Sequence, residues 1–242
     1  MSIVKLRKCA LYGVIVFSFL PLWTVAQDDA FACRGSDGRI NATEARHVLK
    51  EVQKQYAKID SLSASFVQRS FIVALAEGEQ SSGAMSFSKP GRMRWSYKTP
   101  REQEVLIRDG VMSLYQVDTQ QVIIQDVKEV LLSAVPIAFM MGIGDLDRDF
   151  RVISACKTAS SNLALTLEAK ADQSPEGEND ELGGFILLVD LAKKTPIGAK
   201  ITSVGGNITE IVFSNQVVNS ISAESSRFVL DYPTGVDLVD RR

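Results

Sequence analysis

The sequence predicts an α+β protein, mainly β, with one large antiparallel sheet. Three observations support this prediction. An apolar stripe at helical spacing follows residue 43, and alternation of apolar and polar residues then begins after Asp60 and recurs along most of the chain. An apolar run with a central proline, residues 128–142, interrupts the alternating segments. Because no internal repeat or linker divides the chain, residues 43–242 are predicted to form a single domain.

The first element of this domain is predicted to be an amphipathic helix that starts at Asn41 or Thr43. Its apolar residues recur at steps of three and four over roughly four turns; they are Ala45, Val48, Leu49, Val52, Tyr56 and Ile59. This helix either closes one edge of the sheet or simply packs against it.

Strands are predicted wherever the period falls to two between turn signals. The turn signals include Glu77–Ser82, Pro90-Gly91, Asp109-Gly110 and Gly205–Asn207. The predicted strands follow Asp60 as far as Val73 and then cover residues 83–89, 92–98, 103–108, 111–117, 120–125, 150–154, 163–170, 184–190, 196–203 and 208–217, with one more short strand in the tail.

The strand at residues 92–98, "RMRWSYK", has the clearest alternation. Basic and aromatic residues that interleave can indicate a nucleic-acid surface. Here the basic residues share one face, whereas Met93, Trp95 and Tyr97 share the other. The formal net charge of −2 also gives no general attraction to nucleic acid. We therefore expect no nucleic-acid partner, a solvated basic face and an inward apolar face.

The interrupting run, Lys128–Gly142, contains Pro136 and predicts two short helices. Such a segment is either a core helix or a movable cover over the sheet, and the central proline favours the cover. Its apolar residues are Leu131, Leu132, Val135, Ile137, Phe139 and Met140.

Residues 1–26 have the pattern of a cleaved signal peptide. Lys5, Arg7 and Lys8 precede the apolar run Cys9–Leu20, and small residues end at Ala26. An uncleaved anchor is the alternative, although the run is shorter than the about 20 residues of a membrane span. Cleavage would remove three positive charges and no negative ones, which takes the net charge from −2 to −5. Residues 27–42 are polar and are predicted to be a flexible leader.

Two cysteines remain after cleavage, Cys33 and Cys156. In an oxidising compartment, an even pair favours one disulfide over two separate thiols. A lipid anchor at Cys33 is a third interpretation, which Arg34 disfavours.

No motif predicts catalysis. His47 has no ligand partner at metal-binding spacing, and no phosphate-binding or nucleophile motif stands in its proper setting. Asp145, Asp147 and Asp149 alternate but lack the rest of a calcium loop, which indicates a solvated turn. We expect no metal, no cofactor and no enzymatic activity, with an envelope hydrolase as a competing hypothesis.

A wide sheet with few helices can enclose either an apolar cavity or a fully packed core. A resemblance bears on this choice. The segments "LSASFVQRSF" (62–71), "GAMSFSKPGRMRWSYKTP" (83–100), "QEVLIRDGVMSLYQVDTQQVII" (103–124) and "FVLDYPTGVDLVD" (228–240) lie in order. Together they resemble the LolA-type outer-membrane lipoprotein carriers. The resemblance implies an open, incomplete β-barrel with a helical lid over an apolar cavity.

The resemblance also implies a function. Such a protein takes acylated lipoproteins from an inner-membrane lipoprotein-releasing ABC transporter and sequesters their acyl chains in the periplasm. It then passes them to an outer-membrane lipoprotein receptor, without covalent chemistry, and we expect it to be a monomer. A carrier of another envelope lipid and a lipoprotein-binding sensor domain are the alternatives.

On this interpretation, twelve apolar residues line the cavity or its lid. They are Phe66, Met85, Phe87, Met93, Trp95, Tyr97, Leu131, Leu132, Val135, Ile137, Phe139 and Met140. In the family, a basic residue before the strand-ending proline, usually arginine, contacts the lid and matters for release. Here it is Lys89, which parity places on the face of Met85 and Phe87. An ordinary strand-end cation is the alternative reading of Lys89.

Overall fold

The computed structural model describes residues 29–35, 38–127, 145–170 and 182–242. The predicted signal peptide and the predicted lid, including its six apolar residues from Leu131 to Met140, lie outside these ranges. None of the helices within them is long and apolar enough to cross a bilayer.

Helix α1 spans Ala42–Ala57, as its periodicity predicts. The Asn41 side chain caps its first turn, because Oδ1 accepts hydrogen bonds from the backbone N–H groups of Thr43 and Glu44 at 3.1 and 2.9 Å. The buried residues of α1 are those of the predicted stripe: Ala45, Val48, Leu49, Val52 and Tyr56.

In the part of the chain that the structure describes, thirteen strands form a single sheet. They are β1 (Arg39–Ile40), β2 (Ser61–Ile72), β3 (Glu77–Ser88), β4 (Arg92–Thr99), β5 (Gln103–Arg108), β6 (Val111–Gln116), β7 (Gln121–Asp126), β8 (Phe150–Lys157), β9 (Leu163–Ala169), β10 (Leu182–Asp190), β11 (Thr195–Ser203), β12 (Ile208–Val218) and β13 (Asp237–Asp240).

The strand order is β1-β8-β9-β10-β11-β12-β2-β3-β4-β5-β6-β7-β13, and within the described ranges the sheet is open. Each neighbouring pair is antiparallel except β13, which lies parallel to β7. The prediction of a mainly β protein with one large, open antiparallel sheet is confirmed. The short helix α2 (Leu146–Asp149) follows the undescribed insertion and precedes β8.

The sheet has an inner face, which we define as the side against which α1 packs. Helix α1 contacts β8, β11 and α2 there. The main hydrophobic core lies on this side and joins the apolar stripe of α1 to inward residues of the sheet such as Phe66, Leu165 and Phe185. Burial of this apolar surface therefore holds α1 against the sheet.

The opposite, outer face is not uniformly solvated. The segment after β12 crosses the outer side of β4 and β5, and its Phe228 is only 1% exposed. Arg94 Nη1 donates hydrogen bonds to the carbonyl oxygens of Arg227 and Val229, both at 3.1 Å. The expectation of a fully solvated basic face on β4 is therefore wrong for Arg94, because the C-terminal segment covers it.

The hairpin of β2 and β3 is longer than predicted. The two strands pair without interruption from Ser61 opposite Ser88 to Ile72 opposite Glu77. The turn is a 3-10 segment at Val73–Leu75, followed by Ala76 in the left-handed region. The prediction of a turn at Glu77–Ser82 is therefore wrong, because the backbone ladder continues through these polar residues.

The leader also differs from the sequence-based expectation. Cys33 and Cys156 are joined in a disulfide with Cα atoms 5.5 Å apart, and Phe31 is 5% exposed. Strand β1 pairs with β8, Arg39 opposite Cys156 and Ile40 opposite Ala155. The described part of residues 27–42 is therefore held by a covalent bond, a buried aromatic ring and backbone pairing.

Candidate functional site

An aromatic cluster occupies the inner face of β2, β4 and β12. The ring of Phe66 lies 4.7 Å from that of Trp95 and 5.0 Å from that of Tyr97, in edge-to-face contacts. Phe213 adds a fourth ring, 6.0 Å from Trp95. Alternation along β2 and β4 brings the three predicted residues to one face, as expected. Phe213 belongs to the same cluster, although it was not among the predicted site residues.

The cluster has a polar rim at Tyr97. Its hydroxyl donates a hydrogen bond to Gln68 Oε1 at 3.1 Å, or accepts one if the amide is turned. Burial raises the pKa of Tyr97 to about 12. The phenol therefore stays neutral at physiological pH beside the apolar rings.

Met85, Phe87 and Met93 are all at most 1% exposed, and they belong to the packed inner core. The Phe87 ring lies 6.0 Å from that of Tyr56 on α1. Among the described residues these three side chains are core, whereas Tyr97 is only partly buried. That the twelve predicted residues line a cavity stays a prediction, because the predicted lid over that cavity lies outside the described ranges.

Both ends of the undescribed insertion are fixed at the inner core. Val127 joins that core before the insertion, and its N–H donates to the carbonyl oxygen of Gly110 at 3.0 Å. Leu146 joins the core after the insertion and donates its N–H to Gln53 Oε1 on α1 at 2.9 Å. The insertion therefore leaves and rejoins the structure at the side where the aromatic cluster lies.

Lys89 follows β3 and turns toward α1. Its ammonium donates hydrogen bonds to the carbonyl oxygens of Tyr56 at 3.3 Å and Ala57 at 3.4 Å. This contact agrees with the predicted inward direction. A contact of Lys89 with the lid, and a role in release, stay predictions.

The three alternating aspartates form a helix turn. Asp145 caps α2 by accepting a hydrogen bond from the Arg148 N–H at 2.9 Å. Partial burial works to raise the pKa of Asp149, but hydrogen bonds from Arg148 and from the Asp145 N–H outweigh it and lower that pKa. Across the described ranges, no three His, Cys, Asp or Glu side chains are grouped so that they could hold a metal ion.

These features define a class of protein: an open β-sheet with an apolar inner face, a covering helix and an insertion whose two described ends, Val127 and Leu146, join the core on that face. The chain matches the family described as "Outer membrane lipoprotein carrier protein LolA" over residues 57–229. It belongs to that family.

Two curated relatives agree with this assignment. An outer-membrane lipoprotein carrier protein of Chromobacterium violaceum is 28% identical over 180 residues, 74% of this chain and 81% of the relative. One of Legionella pneumophila is 28% identical over 191 residues, 78% and 87% of the two chains. Among solved structures, an uncharacterized conserved protein from Thermus thermophilus aligns at 12% identity with a TM-score of 0.49, covering 82% of this chain and 99% of that one.

Proposed function

We propose that this protein is a periplasmic carrier that binds the acyl chains of lipoproteins and carries them to the outer membrane. The observation that supports it most is family membership over residues 57–229, combined with an aromatic inner face whose core also contains both ends of the insertion. The insertion acts as a lid over that face, and Lys89 assists release.

The physical task of such a carrier is to hide apolar surface reversibly. Each buried methylene group stabilises a bound acyl chain by about 0.8 kcal/mol, so a free lipoprotein would partition into a membrane. Phe66 and Trp95 are buried beside the partly buried Tyr97, and opening of the lid lets these rings contact acyl chains without any covalent bond. A lid anchored at both ends can open without unfolding the sheet.

The partners follow from this task. An inner-membrane lipoprotein-releasing ABC transporter supplies acylated lipoproteins, and an outer-membrane receptor accepts them. The protein is exported through the cleaved signal peptide of residues 1–26 and works as a monomer, without a cofactor or catalysis.

Depletion in the native cell tests the proposal. Lipoproteins destined for the outer membrane should accumulate in the inner membrane when the protein is depleted, and re-expression should restore them. Correct lipoprotein sorting after depletion would contradict the proposal. If sorting stayed correct while another envelope lipid was mislocalised, a lipid carrier on the same fold would replace it.

A further inference from the structure

The described leader covers a second apolar surface, on the side of the sheet opposite the acyl-binding face. Phe31 inserts into a pocket formed by Ala164 of β9 and Leu188 of β10, with Ile186 and Val212 partly buried around it. These sheet residues alternate with inward residues such as Leu165 and Leu187, so they face outward. The Phe31 pocket is therefore separate from the aromatic cluster.

The leader also covers the edge of β8, which ends the sheet apart from the two-residue β1. Arg34 donates its N–H to the carbonyl oxygen of Lys157 at 2.8 Å, and Cys33 forms an isolated bridge with Thr158. At Gly38 the backbones are so close that a Cβ would lie 2.9 Å from the Lys157 carbonyl oxygen. An exposed strand edge is a template for pairing with another chain, and here the leader fills it.

Few noncovalent contacts hold this cover. Phe31 is the one apolar ring that the described leader buries, and β1 is only two residues long. Besides the Arg34–Lys157 hydrogen bond and the Cys33–Thr158 bridge, the leader is attached by the disulfide between Cys33 and Cys156, which are 123 residues apart in sequence. We therefore expect the leader to detach readily once this bond is broken.

The two cysteines of the disulfide differ in their exposure to solvent. Cys33 is exposed, whereas Cys156 is 5% exposed. A dithiol reductant can attack Cys33 Sγ with one thiolate, which forms a mixed disulfide and releases Cys156 as a thiolate that takes up a proton. The second thiol of the reductant then displaces Cys33, so the reductant is oxidised to a disulfide and both cysteines are reduced.

We propose that residues 29–35 and 38–40 are a disulfide-latched cover, and that after reduction the surface beneath them binds an extended, aromatic-bearing segment of a partner protein. The leader itself shows which chemistry fits: backbone groups that pair with β8, and an aromatic side chain for the Phe31 pocket. This is β-strand addition to a sheet edge, in which a side-chain pocket supplies the specificity.

Hydrogen exchange on the full chain tests the latch. In the oxidised protein the Arg34 amide should be protected, and reduction should speed its exchange at least tenfold. The Ser65 amide in the β2 ladder provides the internal control and should change little. Equal protection of Arg34 in both redox states would overturn the latch.

A peptide with the sequence of residues 29–40, with serine in place of Cys33, tests the surface. The receptor is the full chain carrying Phe31→Ala and Cys33→Ser, because an intact tethered leader would compete at high effective concentration. Saturable binding is expected, at least tenfold tighter than to the oxidised wild type. A peptide that also carries Phe31→Ala should bind at least tenfold more weakly.

Absent binding, or equal binding to the oxidised wild type, would overturn the proposal. If reduced wild-type chains dimerise by exchanging leaders, the occupant is a second copy, and the partner assignment is wrong. Should the double variant not fold, reduced wild-type protein is titrated with peptide instead, and the same outcomes apply. Acyl-chain binding should be the same in the double variant and the wild type, which separates this test from that of the carrier function.

Discussion

The ammonium group of Lys89 lies 3.3 Å from the carbonyl oxygen of Tyr56 and 5.7 Å from the centre of the Tyr56 ring. The Lys89 backbone N–H also donates to the carbonyl oxygen of Asp60 at 2.8 Å. Tyr56 and Ala57 end α1, where the negative end of the helix dipole favours a cation. Lys89 therefore joins the end of β3 to the end of α1.

This contact predicts a modest stability effect. Lys89→Met should lower the free energy of unfolding by about 0.5–1 kcal/mol, since the helix end loses its cation. Lys89→Arg should keep most of that stability because it keeps the charge. Urea unfolding measures both variants, and equal stability of all three proteins would show that the contact contributes nothing. A role in release would appear separately, as slower transfer of a bound lipopeptide by Lys89→Met.

Asn219 links the end of β12 to the turn between α1 and β2. Its side-chain oxygen accepts hydrogen bonds from the N–H groups of Asp60 and Ser61 at 2.8 and 3.3 Å, and its amide donates to the Lys58 carbonyl oxygen at 3.1 Å. Asn219→Ala should cost about 2 kcal/mol, because these groups lose their partner and alanine is strained at φ 54°.

Asn215→Ala is the matched control for this substitution. Asn215 has nearly the same backbone angle, φ 53°, but its side chain makes one long hydrogen bond, 3.5 Å to Ser65 Oγ. We expect Asn215→Ala to cost clearly less in chemical denaturation. Equal losses would mean that backbone strain, rather than the side-chain bonds, explains the effect at Asn219.

Gly83 lies at a close approach between β3 and β4. A Cβ at this position would lie 2.0 Å from the Ser96 carbonyl oxygen, and β4 backbone atoms cannot move without breaking the ladder. Gly83→Ala should therefore destabilise the protein by about 2 kcal/mol or more. Gly184→Ala in β10 is the control, since its Cβ would meet nothing nearer than 3.8 Å and should change stability by less than about 0.5 kcal/mol.

Thermal unfolding of these two glycine variants provides the comparison. A melting temperature for Gly83→Ala as high as that of Gly184→Ala would contradict the close approach of the two strands.

Tyr97 predicts a loss of stability at alkaline pH. Burial raises its pKa from 10.0 to about 12, so between these values the folded chain keeps a proton that the unfolded chain has lost. The free energy of unfolding should therefore fall as pH rises from 10 to 12. Tyr56, whose pKa burial also raises, contributes in the same direction.

Tyr97→Phe isolates the contribution of Tyr97. Its stability should decline less steeply over the same pH interval, as followed by circular dichroism during denaturant titration. A slope identical to that of the wild type would contradict burial of the Tyr97 hydroxyl in the folded state.

The sheet and its inner aromatic residues could be predicted because strand parity depends on local sequence. Met93, Trp95 and Tyr97 alternate with polar residues, so their common face follows from the period alone. The turn at Asp109-Gly110 was also predictable, and both residues have positive φ, 52° and 81°.

The features that could not be predicted, such as the covered outer face and the attached leader, depend on contacts between distant parts of the chain. The residues that Phe31 and Phe228 contact lie far away from them in sequence. One signal did exist for the covered outer face: Leu106 and Ile107 are consecutive apolar residues in β5, and both are buried. A strand with apolar residues on both faces indicates that both faces are covered. Phe213 could have been found from strand parity, because it shares one face of β12 with Ile211.

The central claim is that acyl chains of lipoproteins bind against the inner face. Mass spectrometry of intact protein purified from the periplasm of its native host, without detergent, tests it most directly. Acylated lipoproteins should co-purify in complex with the wild-type chain. A chain that carries no acylated lipoprotein when purified in this way, or that carries only free lipids, would contradict it.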